Sequence, residues 1–259
     1  MLARFSTLGV RMQPVSAWEL GDTQPVTALR KQGFALLGPQ RTFELCAVDG
    51  DTLARLASSW DRLPSDPHLR DGGSYRFRRH ASLTMNADAS RILTQVQRPH
   101  WQSTEYNALH GGYERWFAPI ESTALADPAM MALLTGIGRL FCEAAGHVLP
   151  FVEVHQFRID TASGIGRPTP EGAHRDGVDF VAVILIARHA VRGGETRVFQ
   201  AHGAAGLRFT MHEPGAALLL DDQQVIHETT PLQPDGQAGY RDTLVLTYRR
   251  DGFLDPAKP

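Results

Sequence analysis

PEGAHRDGVDFVAVILIARHAVRGGET, residues 170–196, decides how the chain is read. The Pro- and Gly-rich loop GIGRPTPEGA (164–173) leads into it, and FVAVILIA (180–187) reads as a strongly apolar strand that ends before the turn GGE at 193–195. Comparable β-type runs follow one another through this half of the chain, at 152–159, 180–187, 196–200, 206–211, 216–220, 225–228 and 243–248. Short strands at this spacing, separated by Gly- and Pro-bearing turns such as QPDGQAGY (233–240), predict a sandwich or jelly roll.

Upstream of residue 150 the pattern is mostly helical. A short helix from about Val26 is expected to end at Gly33, followed by a buried strand over Phe34–Leu37. A second helix is predicted over 51–63, with Asp49 or Asp51 as N-cap and Pro64 as the stop. The longest lies between Asp127 and Gly146, where Pro128 suits the first helical position and Gly146 the C-terminal cap. Its stripe of Met130, Leu133, Leu134, Ile137, Leu140, Phe141 and Ala144 belongs to core packing. Residues 74–85 alternate in part and read as a strand, with Tyr75 and Phe77 on one side and Arg76 and Arg78 on the other. Residues 98–126 are polar, aromatic and irregular, and a loop of that length points to substrate contacts. The expected fold class is α+β: a double-stranded β-helix (jelly-roll) core over 150–250, flanked by helices mostly from the N-terminal half. The expected organisation is one domain over 1–259, with a helix-rich part over 1–149.

Composition limits the function classes. The chain has 259 residues, 42% of them hydrophobic and 21% charged, which fits a globular protein and excludes disorder, collagen and coiled coil. A formal net charge of −2 argues against nucleic-acid or membrane partners reached through bulk electrostatics. Cys46 and Cys142, the only cysteines, form no framework and suit a reducing compartment. The N-terminus lacks an apolar run long enough for a signal peptide, so a cytoplasmic location is expected.

The chemistry is carried by a few residues. With 11 His and 17 Asp, about 0.7 His-x-Asp triplets arise by chance, so His174-Arg175-Asp176 acquires meaning only from its setting. In extended chain its two side chains share a face and can converge on one metal ion. His227, in LLLDDQQVIHETTPL (218–232), supplies a second imidazole. Two imidazoles and a carboxylate leave positions open on Fe(II) for co-substrate and dioxygen. Arg241 opens the strand RDTLVLTYRR, where it can grip a carboxylate bidentately, and Thr243 would add a hydroxyl on the same face. A carboxylate-gripping Arg beside such a site implies a dicarboxylate or keto-acid co-substrate.

HRD at 174–176, GGE at 193–195, His227 and RDT at 241–243 together resemble the Fe(II)/2-oxoglutarate-dependent dioxygenases. The longer strings 170–196, 218–232 and GYRDTLVLTYR (239–249) are similar to the subgroup containing bacterial isoleucine dioxygenases, which hydroxylate free L-amino acids. The resemblance covers residues 150–250 and extends loosely upstream through SYRFRRH and NALHGGYERWFAPI. It implies His174, Asp176 and His227 as iron ligands, and Arg241 with Thr243 as the grip on 2-oxoglutarate. It also implies dioxygen as co-substrate, succinate and carbon dioxide as products, and hydroxylation or sulfoxidation of an amino acid such as Leu, Ile or Met. Two other readings stay open: a redox-neutral metal-dependent jelly-roll enzyme (isomerase or hydrolase), and a non-catalytic small-molecule binding protein.

Several residues have two readings. Arg76, Arg78 and Arg79 either hold a substrate carboxylate or form a solvated strand face. Glu171 either meets a substrate ammonium or is an ordinary loop residue. His155 and Gln156 either touch 2-oxoglutarate or are plain strand residues. Tyr75, Trp101, Tyr113 and Trp116 either wall a pocket or pack in the core. The histidines at 68, 80, 100, 110, 147, 189, 202 and 212 have no metal-like spacing and receive no role.

Overall fold

Alternation and apolar runs build two unequal sheets. The computed structural model describes residues 11–14, 24–203 and 205–255. In chain order its elements are β1 (Arg11–Pro14), α1 (Pro25–Gln32), β2 (Phe34–Leu37), α2 (Pro39–Cys46), α3 (Gly50–Ala57), a 3-10 turn (Ser58–Arg62), β3 (Arg76–Met85) and β4 (Ile92–Thr94). They continue with α4 (Ser122–Leu125), α5 (Pro128–Ala145), β5 (Phe151–Asp160), β6 (Phe180–His189), β7 (Val191–Gly193), β8 (Thr196–Gln200) and β9 (Ala205–Phe209). The last four are β10 (Ala217–Asp221), β11 (Val225–Thr229), β12 (Leu232–Pro234) and β13 (Tyr240–Arg249). The large sheet runs β2-β10-β6-β13-β5-β3-β4 and is antiparallel throughout; the small one runs β1-β9-β8-β11, and β12-β7 form a ribbon. This is the expected jelly roll with its helices contributed by the N-terminal half.

Both faces of the large sheet are covered. Leu83, Val152, Val154, Ala182, Ile184, Leu244, Leu246 and Tyr248 meet Met130, Leu133, Leu134, Ile137 and Phe141 of α5 in one core. The Tyr248 hydroxyl donates to the Leu134 carbonyl at 2.7 Å, so the phenol is satisfied within that layer. On the opposite face, Leu36, Val181, Leu185, Leu218 and Leu220 pack against Val198, Leu207, Phe209 and Val225 of the small sheet. That second core spans only the β2-β10-β6 half. The small sheet stops at its edge strand β11, leaving the inner face of β13, β5 and β3 to be roofed by loops.

Three local features differ from expectation. The helix expected over 51–63 divides: α3 is capped by a reciprocal Asp49–Thr52 box, but the hydroxyls of Ser58 and Ser59 then donate to the Arg55 and Leu56 carbonyls at 2.8 Å each. These local bonds tighten the chain into a 3-10 turn, and the buried Trp60 ties it to the sheet by donating to the Phe157 carbonyl at 3.1 Å. Helix α2 was not expected; it begins with Pro39 in its first turn and ends at Ala47 in the left-handed region. The 98–126 segment is irregular apart from α4, yet pinned: His100 and Arg115 exchange backbone hydrogen bonds of 2.9 and 3.0 Å, and His80 pairs with Ala118 and Ile120. No helix among the described residues is long and apolar enough to cross a membrane.

Helix α5 approaches α2 closely at Gly136, where an added Cβ would lie 2.8 Å from the Cα of Cys46. Gly136→Ala gains about 1 kcal/mol of helix propensity, whereas overpacking against a backbone atom costs about 1–3 kcal/mol. The clash is expected to win, so the thermal unfolding midpoint should fall. A raised midpoint would mean that α2 can slide away at little cost.

Candidate active site

The loop entering β6 and the strand β11 meet through backbone. His174 and His227 exchange N–H···O bonds of 3.0 Å in each direction, forming an isolated antiparallel bridge that extends the small sheet by one residue. Their rings stand 4.6 Å apart. Asp176 completes the group: its carboxylate oxygens lie 3.7 Å from His174 Nε2 and 3.8 Å from His227 Nε2. These three donors are within 4.8 Å of one another, which suits one metal ion.

The donor atoms are pre-set. His174 Nδ1 is 3.0 Å from the Gly172 carbonyl, to which it donates, so the lone pair is left on Nε2, facing the other two residues. The buried carboxylate of Asp222 accepts the backbone N–H groups of Asp176, Gly177 and Val178 at 3.0, 2.8 and 3.1 Å, fixing the turn that aims Asp176. Gly177 sits at φ +80° in this turn, and a Cβ there would come within 2.6 Å of the Tyr106 ring. Gln102 Nε2 donates to Asp176 Oδ1 at 3.2 Å, while Gln102 Oε1 accepts from Arg115 Nη2 at 2.6 Å and Asn107 Nδ2 at 3.2 Å.

Burial and charge divide the two imidazoles. Burial pulls the His174 pKa down, but the Asp176 and Glu171 carboxylates outweigh it and hold it above its ordinary value. His227 is held well below by burial and by His174. Asp222 is pushed up to about 7 by burial and then by Asp176, against the three backbone N–H groups.

The cluster opens into a cavity of about 130 Å³ under the overhang of the large sheet. Alternate residues of β13, Arg241, Thr243, Val245 and Thr247, line it, as does the face Ile159, Phe157 and His155 of β5. Arg76 and Arg78 of β3 line it too, with Glu171 from the loop. Of the residues singled out from the sequence, His174, Asp176, His227, Arg241, Thr243, Arg76, Arg78, Glu171 and His155 therefore share one space. Arg241 is buried with Nε and Nη2 unpartnered; burial, then the neighbouring Arg188, pulls its pKa to about 10, so it stays charged at neutral pH.

The arginine face of β3 is not solvated. Arg76 donates to the buried Asp66 at 2.6 Å, and Arg78 lies between the rings of Phe117 and Phe157, 3.6 and 4.3 Å from their centroids. Arg79, on the other face, instead pairs with Glu121 and the Pro119 carbonyl. Gln156 points away from the cavity and donates to Ser59 Oγ at 2.8 Å. Tyr75, Trp101, Tyr113 and Trp116 are not among the lining residues, and the aromatic wall is Phe157. Gln102, Asn107 and Arg115 have no individual mark beyond the polar, irregular character of the 98–126 segment and, for Asn107 and Arg115, the loose resemblance through NALHGGYERWFAPI, while His100 was expected to have no role.

The chain matches the family model for 2OG-Fe dioxygenases over residues 57–247. A crystal structure of a bsmA homologue from Methylobium petroleophilum PM1 is 48% identical, covers 96% of this chain and 100% of that one, and superposes with a TM-score of 0.84. IDO from Bacillus thuringiensis shares the fold at 19% identity, with 88% of this chain and 95% of that chain covered and a TM-score of 0.68. The Fe(II)/α-ketoglutarate-dependent dioxygenase TqaL does so at 17% identity, with 90% of each chain covered and a TM-score of 0.64. Among curated proteins none matches. A family model that spans most of the chain, over a jelly roll with a His-Asp-His group at its centre, makes this chain a member of the 2OG-Fe dioxygenase family, oxidoreductases that use Fe(II) and 2-oxoglutarate.

Proposed function

We propose that the protein hydroxylates, or sulfoxidises, a small free L-amino acid, with Leu, Ile and Met as first candidates. In this reading His174, Asp176 and His227 hold the iron. Arg241 and Thr243 grip the distal carboxylate of 2-oxoglutarate, and Arg76, Arg78 and Glu171 face the substrate. The observation that carries it is one cavity containing three convergent metal donors and a buried guanidinium with two unpartnered N–H groups. An unpaired buried guanidinium is costly unless a ligand completes it, and a carboxylate matches its fork.

The donor set fits Fe(II): nitrogen and carboxylate ligands on one side leave the cavity side open. When bound, the metal supplies the redox chemistry that couples decarboxylation of 2-oxoglutarate, to succinate and carbon dioxide, to oxygen insertion into a substrate bond. The protein's own work is orientation. Gln102 holds the Asp176 carboxylate, Arg241 sets the reach of the co-substrate, and Phe157, Ile159, Val178, Val183 and Val245 give the cavity a dry side.

Substrate handles are supported by unpartnered atoms. Arg76 Nη2, Arg78 Nε and Arg115 Nε are buried donors without acceptors, and Glu171 Oε2 is a buried acceptor without a donor. Donors for a carboxylate and an acceptor for an ammonium, in one small cavity, match the α-groups of a free amino acid. Four guanidinium groups against the carboxylates of Glu171 and Asp176 leave the lining net positive, which suits two carboxylate-bearing ligands.

Anaerobic titration with Fe(II) and then 2-oxoglutarate should give a visible metal-to-ligand charge-transfer band in the wild type and none in His227→Ala. Arg241→Ala should still bind iron but require about 10²-fold more 2-oxoglutarate. Iron binding without a band in the wild type would remove 2-oxoglutarate from the reaction.

Arg115→Met should raise KM for the amino acid by one to two orders of magnitude, roughly the loss of one charge-assisted contact, while the 2-oxoglutarate requirement holds. Succinate release across a free amino-acid panel reads both. An unchanged KM would take Arg115 out of substrate binding.

Gln102→Leu removes the donor to Asp176 and should weaken iron binding or turnover by about 10–100-fold with the fold retained, measured by metal titration alongside circular dichroism. Unaltered iron affinity and turnover would show that Asp176 is positioned by the Asp222 turn alone.

A further inference from the structure

A second cluster lies against β3 and β5. His80, His100, Glu153 and His155 are all buried, and polar atoms of the four fall within 4.8 Å of one another. The composition is that of a metal site, but the atoms are already committed. Glu153 accepts from His80 Nε2 at 3.0 Å and from His100 Nδ1 at 3.2 Å, and Arg78 Nη2 donates to His155 Nδ1 at 2.7 Å. A cation would have to displace these bonds beside a buried guanidinium.

The same bonds fix two tautomers. A guanidinium has no acceptor, so His155 Nδ1 must carry the lone pair and Nε2 the proton. The N–H bonds from His100 Nδ1 and His80 Nε2 draw the Glu153 carboxyl below its usual range against burial; an ionised carboxylate only accepts, so His100 carries its proton on Nδ1. Burial, and next for His155 the Arg78 charge, keeps both rings neutral, with His100 brought down to about 4 and His155 well below its ordinary value. Both rings line the cavity, with centroids 4.8 Å apart at 81°. Neither Nε2 has a hydrogen-bond partner among the described residues. The wall thus offers a donor, His155 Nε2–H, beside an acceptor, His100 Nε2.

We propose that His155 and His100 are specificity-determining residues that receive a neutral hydroxyl or carboxamide on the substrate side chain. The inference rests on the free amino-acid reading above and narrows its side chain from hydrocarbon to polar. A carboxylate would meet the His100 lone pair, and an ammonium would meet the His155 N–H and the Arg78 charge. A hydroxyl or carboxamide satisfies both atoms at once. A hydrocarbon leaves both unpaired, and sites built to bond a polar group discriminate strongly against analogues that lack it.

The test compares L-threonine, L-homoserine, L-asparagine and L-glutamine with L-valine, L-leucine, L-isoleucine and L-methionine. The readouts are kcat/KM in the iron-loaded enzyme and calorimetric binding to the Zn(II)-loaded protein with 2-oxoglutarate. The expected result is that the best polar member exceeds the best hydrocarbon or thioether member by at least about tenfold, the scale of one hydrogen bond. That preference should collapse in His100→Phe and in His100→Gln, whose amide can still donate to Glu153. Long-range 1H–15N spectra of the wild type at pH 7 should show His155 protonated on Nε2 and His100 on Nδ1 only. Equal binding of the two panels, a preference that survives both variants, a doubly protonated His100, or a raised 2-oxoglutarate requirement in the variants would each overturn this inference alone. Binding of neither panel would overturn the free amino-acid reading, and this inference with it.

Discussion

The buried carboxylate of Asp222 holds the candidate active site together. It collects three consecutive backbone N–H groups, from 176 to 178, while its own carbonyl accepts from Arg175 Nε at 2.6 Å and its N–H reaches the Asp179 carbonyl at 3.0 Å. The turn between β10 and β11 is thereby fastened to the loop that enters β6. Once those segments are joined, the reciprocal His174–His227 bridge sets the remaining spacing. Main-chain bonds, rather than side-chain packing, hold the three donors in place. A cation among them would offset the Asp176 charge that pushes Asp222 up, so filling the site also favours the ionised form that best accepts the three N–H groups.

The cavity arises from a mismatch between sheets. Seven strands face four, and the apolar inter-sheet core is confined to the β2-β10-β6 half. Among the described residues the small sheet has no strand beyond β11, and there the inner face of the large sheet changes from Val and Leu to Arg, Thr and His. The 98–126 segment covers the overhang, clipped to β3 by backbone bonds at His80 and closed on itself between His100 and Arg115. Because that cover is pinned by main chain, its side chains are free to point inward: Gln102 reaches a candidate metal ligand and Arg115 reaches Gln102.

What the sequence revealed depended on whether the determinant was local. The β-runs after residue 150 and the capped helix α5 were legible, since alternation, Pro128 and Gly146 act within a few residues. His174, Asp176, His227 and Arg241 were legible as an ordered set of residue types on strands. The side to which Arg76 and Arg78 point was not: period-two alternation separates two faces but does not say which one meets water. Their burial follows from pairing β3 with β5 and from Asp66, ten residues before Arg76. His100 and His80 carried no signal because their partner, Glu153, arrives from a strand more than fifty residues away. Helix α2 was short, and Pro39 at its start was its only mark.

Unpaired groups that converge on one cavity mark where a ligand can act. Tyr248 and Trp60, buried on the helical side of the large sheet, each reach a partner, and Gln156 does so through its amide nitrogen while its Oε1 stays unpartnered. On the cavity side, Arg76, Arg78, Arg115 and Arg241 keep N–H groups without acceptors, and Glu171 keeps an oxygen without a donor. Each such group costs about 1–3 kcal/mol if nothing completes it. Unpartnered buried atoms also occur elsewhere, at Ser82, Arg98 and Gln156 among others, so the telling feature is not their number but the convergence of four arginines and a glutamate on one small cavity, where a ligand can restore the cost. The large sheet is thus packed against helices on one face and lined by arginines around the cavity on the other.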